Sequence, residues 1–260
     1  LADDEINSII KELQSAKRPC ILAGSGIISG GARKKFAELV DALKVPVIGG
    51  AWVADNFYLE HELYFGNSGN IGPRTGNFIL QNADVIMTFG NSLGFRQTGF
   101  NQDCFAPKAK IIMIDADENE AKKPGLRIEK FVKGTTSDVI DRILEIKPEI
   151  NCSTEWIDYC KGLKSRFSSF EATENLDGKE RVCAYQFWKI FQQYEESDSI
   201  LALGNNTANT AKLQIGVQKP DQRVITNYTC GSMGYDLPAA IGTSIAAEKK
   251  VYCVTGDGSI

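Results

Sequence analysis

The sequence predicts an α/β fold: a doubly wound parallel sheet of about six strands, followed by a second, partial α/β unit. Three observations predict it. Short apolar runs alternate with segments of helical periodicity, the pattern of a parallel sheet covered on both faces. Several runs end in Gly or small polar residues, where open parallel sheets hold their ligands. With 260 residues, 43% hydrophobic and 24% charged, the chain has enough apolar surface for one or two packed domains, and disorder is excluded.

Each element has a local reason. Ile6, Ile9, Ile10 and Leu13 stand at helical spacing in residues 3–17, after the candidate caps Asp3 and Asp4. Pro19 to Ala23 reads as a buried strand, and Gly24-Ser25-Gly26 as the turn after it. A helix over 31–43 carries Phe36, Leu39, Val40 and Leu43 on one face. Val45-Pro46-Val47-Ile48 is a short strand, and a helix near 74–82 leads into a strand from Asp84 to Phe89. Lys110 to Ile114 is a strand ending at Asp115, Phe131-Val132 is a short one, and 136–146 is a closing helix. Residues 1–150 are thereby one domain. A polar connector, 151–180, contains the turn Asn175-Leu176-Asp177-Gly178. The alternation restarts in 181–260: a helix with Tyr185, Trp188, Ile190 and Phe191, a strand Ser199–Leu203, a helix 207–215, a strand Arg223–Thr226, a helix 236–247 and a strand Val251–Thr255. Leu1 in place of Met, and a stop at Ile260 in a loop after a strand, predict a piece of a longer polypeptide.

Composition removes several function classes. The net charge is -4 with no basic stripe, which disfavours nucleic acid as a partner. No apolar run approaches a membrane span, and no signal peptide precedes the first helix. Seven cysteines, odd in number and without C-x-x-C spacing, read as reduced thiols of a cytoplasmic protein. His61 is the single histidine, so a two-His zinc site is excluded; in Leu59-Glu60-His61-Glu62 it reads as a surface residue.

The chemistry-bearing segments are strand ends. Val251 to Thr255 runs into Gly256-Asp257-Gly258, a carboxylate between two glycines. Glycines let a phosphate approach the backbone, and Asp257 offers oxygen to a hard cation such as Mg2+; a plain Asp-Gly turn is the alternative. Upstream lies Gly231-Ser232-Met233-Gly234-Tyr235-Asp236-Leu237-Pro238-Ala239-Ala240-Ile241-Gly242, on its own a Gly-rich turn feeding a helix. Gly204-Asn205-Asn206-Thr207 follows a strand and opens a helix. Its free N–H groups suit a phosphate, or it is an ordinary Asn-Thr cap. In the first domain, Gly24 and Gly26 begin a dinucleotide-like fingerprint whose third glycine is displaced.

The pairing of the Gly231–Gly242 segment with the Gly256-Asp257-Gly258 turn closely resembles the cofactor half of thiamine-diphosphate enzymes of the acetolactate synthase type. The first domain resembles their central domain in the spacing of Phe65-Gly66, Gly72, Asn77, Ala83-Asp84, Phe89-Gly90, Arg96-Gln97-Thr98-Gly99, Phe105-Ala106-Pro107 and Ile114-Asp115-Ala116-Asp117. The resemblance implies that Asp257 ligates a Mg2+ bridging the diphosphate. It implies that Met233 supports the bent cofactor and that the Gly231 carbonyl accepts from its aminopyrimidine. Gly204, Asn205, Asn206, Thr207, Ser232, Gly256 and Gly258 would line the cofactor. The family's diphosphate loop carries Gln and His where this chain has Asn205-Asn206. Arg96 aligns with the Arg that meets the acceptor keto acid, its guanidinium suited to a carboxylate; a surface Arg is the alternative. FAD over Gly24 and Gly26 is the further cofactor raised by the resemblance, but Asn91-Ser92-Leu93-Gly94-Phe95-Arg96 stands where the family reads A-R-F-D-D-R, and the loss of the first Arg weighs against it.

The implied activity, a transferase or lyase reaction, is decarboxylation of a 2-keto acid such as pyruvate and ligation of the remaining unit to a second carbonyl. The implied assembly is a homodimer or homotetramer, with an activating Glu from a domain outside this sequence, so that this segment alone is inactive. Rival readings are a decarboxylase, oxidase or sugar-pathway carboligase of the same fold, a nucleotide-binding module without thiamine chemistry, and a non-catalytic scaffold.

Overall fold

The computed structural model describes residues 2–51, 53–167, 182–228 and 230–260. The Asn175–Gly178 turn of the predicted connector lies outside the described residues. Six strands form one parallel sheet: β1 (Pro19–Ala23), β2 (Val47–Gly49), β3 (Tyr64–Asn67), β4 (Val85–Phe89), β5 (Lys110–Asp115) and β6 (Ile128–Lys133). Their order is β3-β2-β1-β4-β5-β6. The winding direction therefore reverses between β1 and β4, which opens a crevice at their carboxyl ends.

The sheet is buried on both faces because its strands are apolar on both. In β1, Ile21 and Ala23 join one core while Cys20 and Leu22 join the other, as the two-residue period of a strand requires. The first core is closed by α1 (Asp3–Ser15), α3 (Arg33–Leu43) and α6 (Thr136–Ile146), through Ile6, Ile9, Phe36, Val40, Val139 and Ile140. The second is closed by α4 (Arg74–Asn82) and α7 (Thr154–Arg166), through Ile79, Leu80, Trp156 and Cys160. A one-turn α2 (Gly26–Ser29) leaves β1, and a one-turn α5 (Phe95–Thr98) follows β4.

Some boundaries differ from the sequence reading. Asp3 and Asp4 do not cap α1; the cap residue is Ala2 and the two acids lie in the first turn, where they favour the positive end of the helix dipole. The helix stops at Ser15 because Asp84 draws the next backbone away: its two carboxylate oxygens accept the N–H groups of Lys17 at 2.9 Å and Arg18 at 2.8 Å. The strand predicted from Val45 begins at Val47, since Pro46 has no N–H to give a ladder. The strand predicted at Phe131-Val132 extends over Ile128–Lys133.

The second unit is a parallel sheet in the order β8-β7-β9, formed by β7 (Ile200–Leu203), β8 (Arg223–Thr226) and β9 (Val251–Val254). The helices α8 (Ala184–Tyr194) and α9 (Thr207–Ile215) bury Trp188, Ala211, Leu213 and Ile215 against Leu201 and Leu203. Ile190 of α8 points outward, 53% exposed. The helix α10 (Asp236–Ala247) packs on β7 and β9. The two sheets meet along a polar seam. Val217 N donates to Ala54 O and Leu59 N to Val217 O at 3.2 and 2.9 Å. Asn67 Nδ2 donates to Leu213 O at 2.6 Å. The buried carboxylate of Asp55 accepts from Arg223 Nε at 2.7 Å and from Val224 N at 3.0 Å. No helix among the described residues is long and apolar enough to cross a membrane.

Candidate functional site

The carboxyl ends of β7, β8 and β9 place three loops side by side. Gly204 N donates to Val254 O at 2.9 Å, which ties the end of β7 to the end of β9. A β-carbon on Gly256 would lie 3.4 Å from Asn205 O and from Asn206 Cβ, so the Gly256-Asp257-Gly258 turn rests on the 204–207 loop. Asn205 Nδ2 donates to Gly231 O at 2.9 Å and thereby joins the third loop. The Gly231 carbonyl, expected to receive an aminopyrimidine, thus accepts from Asn205; a carbonyl oxygen has a second lone pair to offer.

Glycines at 231 and 234 adopt φ of +61° and +82°, a region an L side chain enters only with strain. They turn the chain from β8 into α10. Met233 lies between them, 67% exposed, its Sδ 3.9 Å from where a β-carbon on Gly258 would sit. It is no core residue; it offers an apolar surface beside the Asp257 turn. Ser232 is exposed, and its Oγ accepts from Asn227 Nδ2 at 3.4 Å.

Asn206 is held by the fold as the N-cap of α9, its Oδ1 accepting from Asn209 N at 2.7 Å, while its Nδ2 donates to Val254 O at 3.3 Å. Thr207 opens the helix and is exposed. Asp257 is exposed; one carboxylate oxygen accepts from Gly258 N at 3.0 Å, and the other has no partner among the described residues. No group of three or more His, Cys, Asp or Glu among the described residues is placed to hold a metal. A cation at Asp257 would need its other oxygens from elsewhere, which suits Mg2+, usually held by one or two carboxylates plus phosphate oxygens.

Residues that sequence reading did not single out complete the cleft. It is a narrow cleft lined by Asn209, Asn227, Tyr228 and Tyr235 together with Gly204, Asn205 and Gly231. Burial pushes the Tyr228 phenol above its ordinary value, against the opposing effects of a hydrogen bond with Thr210 and the positive charge of Arg96. Arg96, on α5 of the first unit, is near enough for its charge to be felt at Tyr228; its guanidinium lies 5.6 Å over the Phe95 ring. Asn209 was legible as the residue three after an Asn cap. Tyr228 carried no signal of its own. Beneath the cleft, Asp236 is fully buried and neither of its oxygens is hydrogen-bonded among the described residues.

In the first unit, Gly24 and Gly26 serve packing. A β-carbon on Gly24 would fall 2.0 Å from Gly90 O, and one on Gly26 would fall 2.6 Å from Gly90 Cα. Gly24 N donates to Phe89 O, and Gly26 N to Gly90 O. Next to this contact is a depression of ≈ 400 Å³ lined by Ser25, Gly26, Gly90, Ser92, Asp115 and Glu120. Gly26 lines it and Gly24 does not. His61, read as a surface residue, has its side chain 10% exposed and its Nε2 3.0 Å from Asp41.

Comparison with known proteins decides the family. Residues 6–142 match the thiamine pyrophosphate enzyme central domain, more than half of the chain, and residues 202–260 match the thiamine pyrophosphate enzyme C-terminal TPP binding domain. The chain belongs to the thiamine pyrophosphate enzymes. Among its relatives, the acetolactate synthase large subunit of Corynebacterium glutamicum is 30% identical over 98% of this chain and 41% of its own length. The probable acetolactate synthase large subunit of Methanococcus aeolicus is 28% identical over 98% and 44%. The acetolactate synthase isozyme 3 large subunit of Escherichia coli K12 is 28% identical over 98% and 45%. The chain thus spans less than half the length of these relatives. This membership accords with the parallel six-stranded sheet and the second, smaller sheet.

Proposed function

We propose that this chain supplies the central domain (1–150), a connector (151–180) and the first part of the cofactor domain (181–260) of an acetolactate synthase-like enzyme, which decarboxylates a 2-keto acid such as pyruvate and joins the remaining unit to a second carbonyl. The observation that carries the proposal is the convergence of loops 204–207, 231–235 and 256–258 at one sheet edge, tied by the 2.9 Å bond from Asn205 Nδ2 to Gly231 O. Thiamine diphosphate, when bound, supplies the electron sink for loss of carbon dioxide. The residues fit it. The free oxygen of Asp257 is available to a Mg2+ on the diphosphate, and Gly256 and Gly258 leave the backbone open beside it. Met233 presents an apolar support, and the Gly231 carbonyl accepts an amino group. Thr207 and the Asn205 loop lie at the start of α9, where helix N–H groups favour phosphate. Arg96, whose charge is felt at Tyr228, binds the carboxylate of the acceptor keto acid.

Assembly as a homodimer or homotetramer belongs to the same proposal; Leu237, Ile241 and Ile245 expose one apolar stripe of α10, at 43%, 55% and 74%. A cytoplasmic location accords with seven free thiols. The loss of the first Arg weighs against FAD; a flavin bound by the full-length protein would lie in the depression over Gly26, Gly90 and Asp115. Excess FAD that leaves the full-length protein colourless removes that part of the proposal alone.

The experiment is titration of full-length protein with thiamine diphosphate at varied Mg2+. Asp257→Ala is expected to abolish the Mg2+-dependent binding. Affinity equal to that of the parent overturns the assignment.

A further inference from the structure

A second concave surface lies on the opposite edge of the large sheet, at the amino ends of β1, β4 and β5. It is an open depression of ≈ 870 Å³ lined by Lys17, Arg18, Asn82, Lys108, Trp156 and Tyr159, with Ser153 and Glu155 at its rim. The strands' carboxyl ends, with Gly90 and Asp115, are at the far side of the sheet, so nothing in the proposed thiamine chemistry uses this surface.

Three cationic side chains line it. The chain carries a net -4, and many of its lysines have acidic partners, among them Lys35 with Asp141, Lys110 and Lys130 with Glu12, and Lys249 with Asp198. The ammonium groups of Lys17 and Lys108 have no such partner among the described residues. Arg18 donates Nε to Asn82 O at 2.6 Å, which fixes the guanidinium while leaving its terminal nitrogens free. Two acids are near. Both oxygens of Asp84 are taken by the N–H groups of Lys17 and Arg18, so this carboxylate holds the two cationic residues in place. Glu155 stands exposed at the rim.

An aromatic wall adjoins the cations. Trp156 is buried, and its Nε1 donates to Pro19 O at 2.9 Å. Tyr159 stacks on it, centroids 5.4 Å apart and planes 13° from parallel. Tyr159 is itself 43% exposed, held flat by a residue that the β1 backbone holds in turn. A fixed, half-open ring stacks on any planar heterocycle, and three cations within one depression bind a chain of phosphates.

We propose that this surface binds a nucleoside polyphosphate, with the phosphates on Lys17, Arg18 and Lys108 and the base on Tyr159. A simple polyanion would need the cations and leave the ring unused. A site on this edge lies away from the loops at 204, 231 and 256.

Calorimetric titration of the full-length protein with ATP and with tripolyphosphate tests the proposal, in the parent, in Lys17→Gln/Lys108→Gln and in Tyr159→Ala. Both lysines are exposed, so the double variant keeps its fold; equal thermal melting and thiamine diphosphate affinity check this. The parent is expected to bind ATP more tightly than tripolyphosphate. The lysine variant is expected to weaken both ligands about tenfold or more at 0.1 M salt. Tyr159→Ala is expected to weaken ATP about fivefold or more and to spare tripolyphosphate. ATP that does not bind the parent, or binds the lysine variant as tightly as the parent, overturns the site. Tripolyphosphate binding as tightly as ATP overturns the nucleoside.

Discussion

The Cα of Gly204 lies directly against the carboxylate of Asp236: a β-carbon at 204 would sit 2.0 Å from Asp236 Oδ2. This contact joins the loop after β7 to the first turn of α10, the two segments between which the candidate cofactor cleft opens. Asp236 is fully buried there without a hydrogen-bond partner among the described residues. Its place at the helix N-terminus offsets part of that cost.

Gly204→Ala is therefore expected to push the two segments apart and destabilise the protein by about 1–3 kcal/mol. Thiamine diphosphate binding should weaken with it. Adding Asp236→Ala removes the obstructing oxygen and should restore part of the loss. Thermal melting of the single and double variants measures the coupling. Simple addition of the two losses would show that the contact does not constrain the loop.

Met233 is exposed between two glycines of positive φ. If it supports a bent cofactor, Met233→Ala should cut turnover strongly with a modest change in cofactor affinity, because lost pre-organisation is felt in the transition state. Met233→Leu, similar in volume, should retain most activity. Hydrogen–deuterium exchange at C2 of the bound cofactor is the direct measurement; an unchanged rate in Met233→Ala contradicts the role.

Asp55 joins the two sheets by accepting from Arg223 Nε and Val224 N. Asp55→Ala leaves a buried N–H without its acceptor and should cost about 2 kcal/mol. Asp55→Asn retains an acceptor oxygen and should cost less. Chemical denaturation of both variants orders them; equal losses would remove the hydrogen-bond explanation.

Glu12 anchors α1 to Lys110 and Lys130, and their hydrogen bonds and charges hold its carboxyl below the ordinary value of 4.5. A depressed carboxyl contributes stability that is fully present above its unfolded value and is lost as pH falls through its lower folded value. The loss should therefore begin near pH 4.5 and be complete only below the folded value. Glu12→Gln should be less stable than the parent at neutral pH and converge with it in acid. Denaturation midpoints at pH 7 and in that acid range test this; a constant gap between the two proteins would assign the loss to packing.

The sheet was readable because its strands are apolar on consecutive positions and its helices are not, as Cys20 to Ala23 and Phe36 to Leu43 show. One edge strand, Tyr64–Asn67, escaped. It is four residues long, contains Gly66 at φ +85°, and pairs with β2 across a shifted register, so neither length nor period marks it. At the cleft, glycine spacing marks the loops at 204, 231 and 256; close approach excludes other residues at Gly204, and positive φ does so at Gly231 and Gly234. Tyr228 and its proximity to Arg96 were not legible, because the two lie in different units of the chain, one on α5 and one in the loop after β8. Gly24 and Gly26 have a second reason for being glycine that the pattern did not reveal: both pack their backbone on Gly90.

The seam also governs how the molecule comes apart. Ala54 and Tyr58 pack into the same core as Leu201 and Leu213, and Asn67 of the large sheet bonds to Leu213 on α9 of the second unit. Melting the small sheet would strip β3 of a buried side-chain bond, and melting the large one would open the core of the small. Neither unit has an opening of its own that spares the other, so denaturant should dissolve them in one cooperative transition, with amide exchange in β3 and β7 slowing to the same limit.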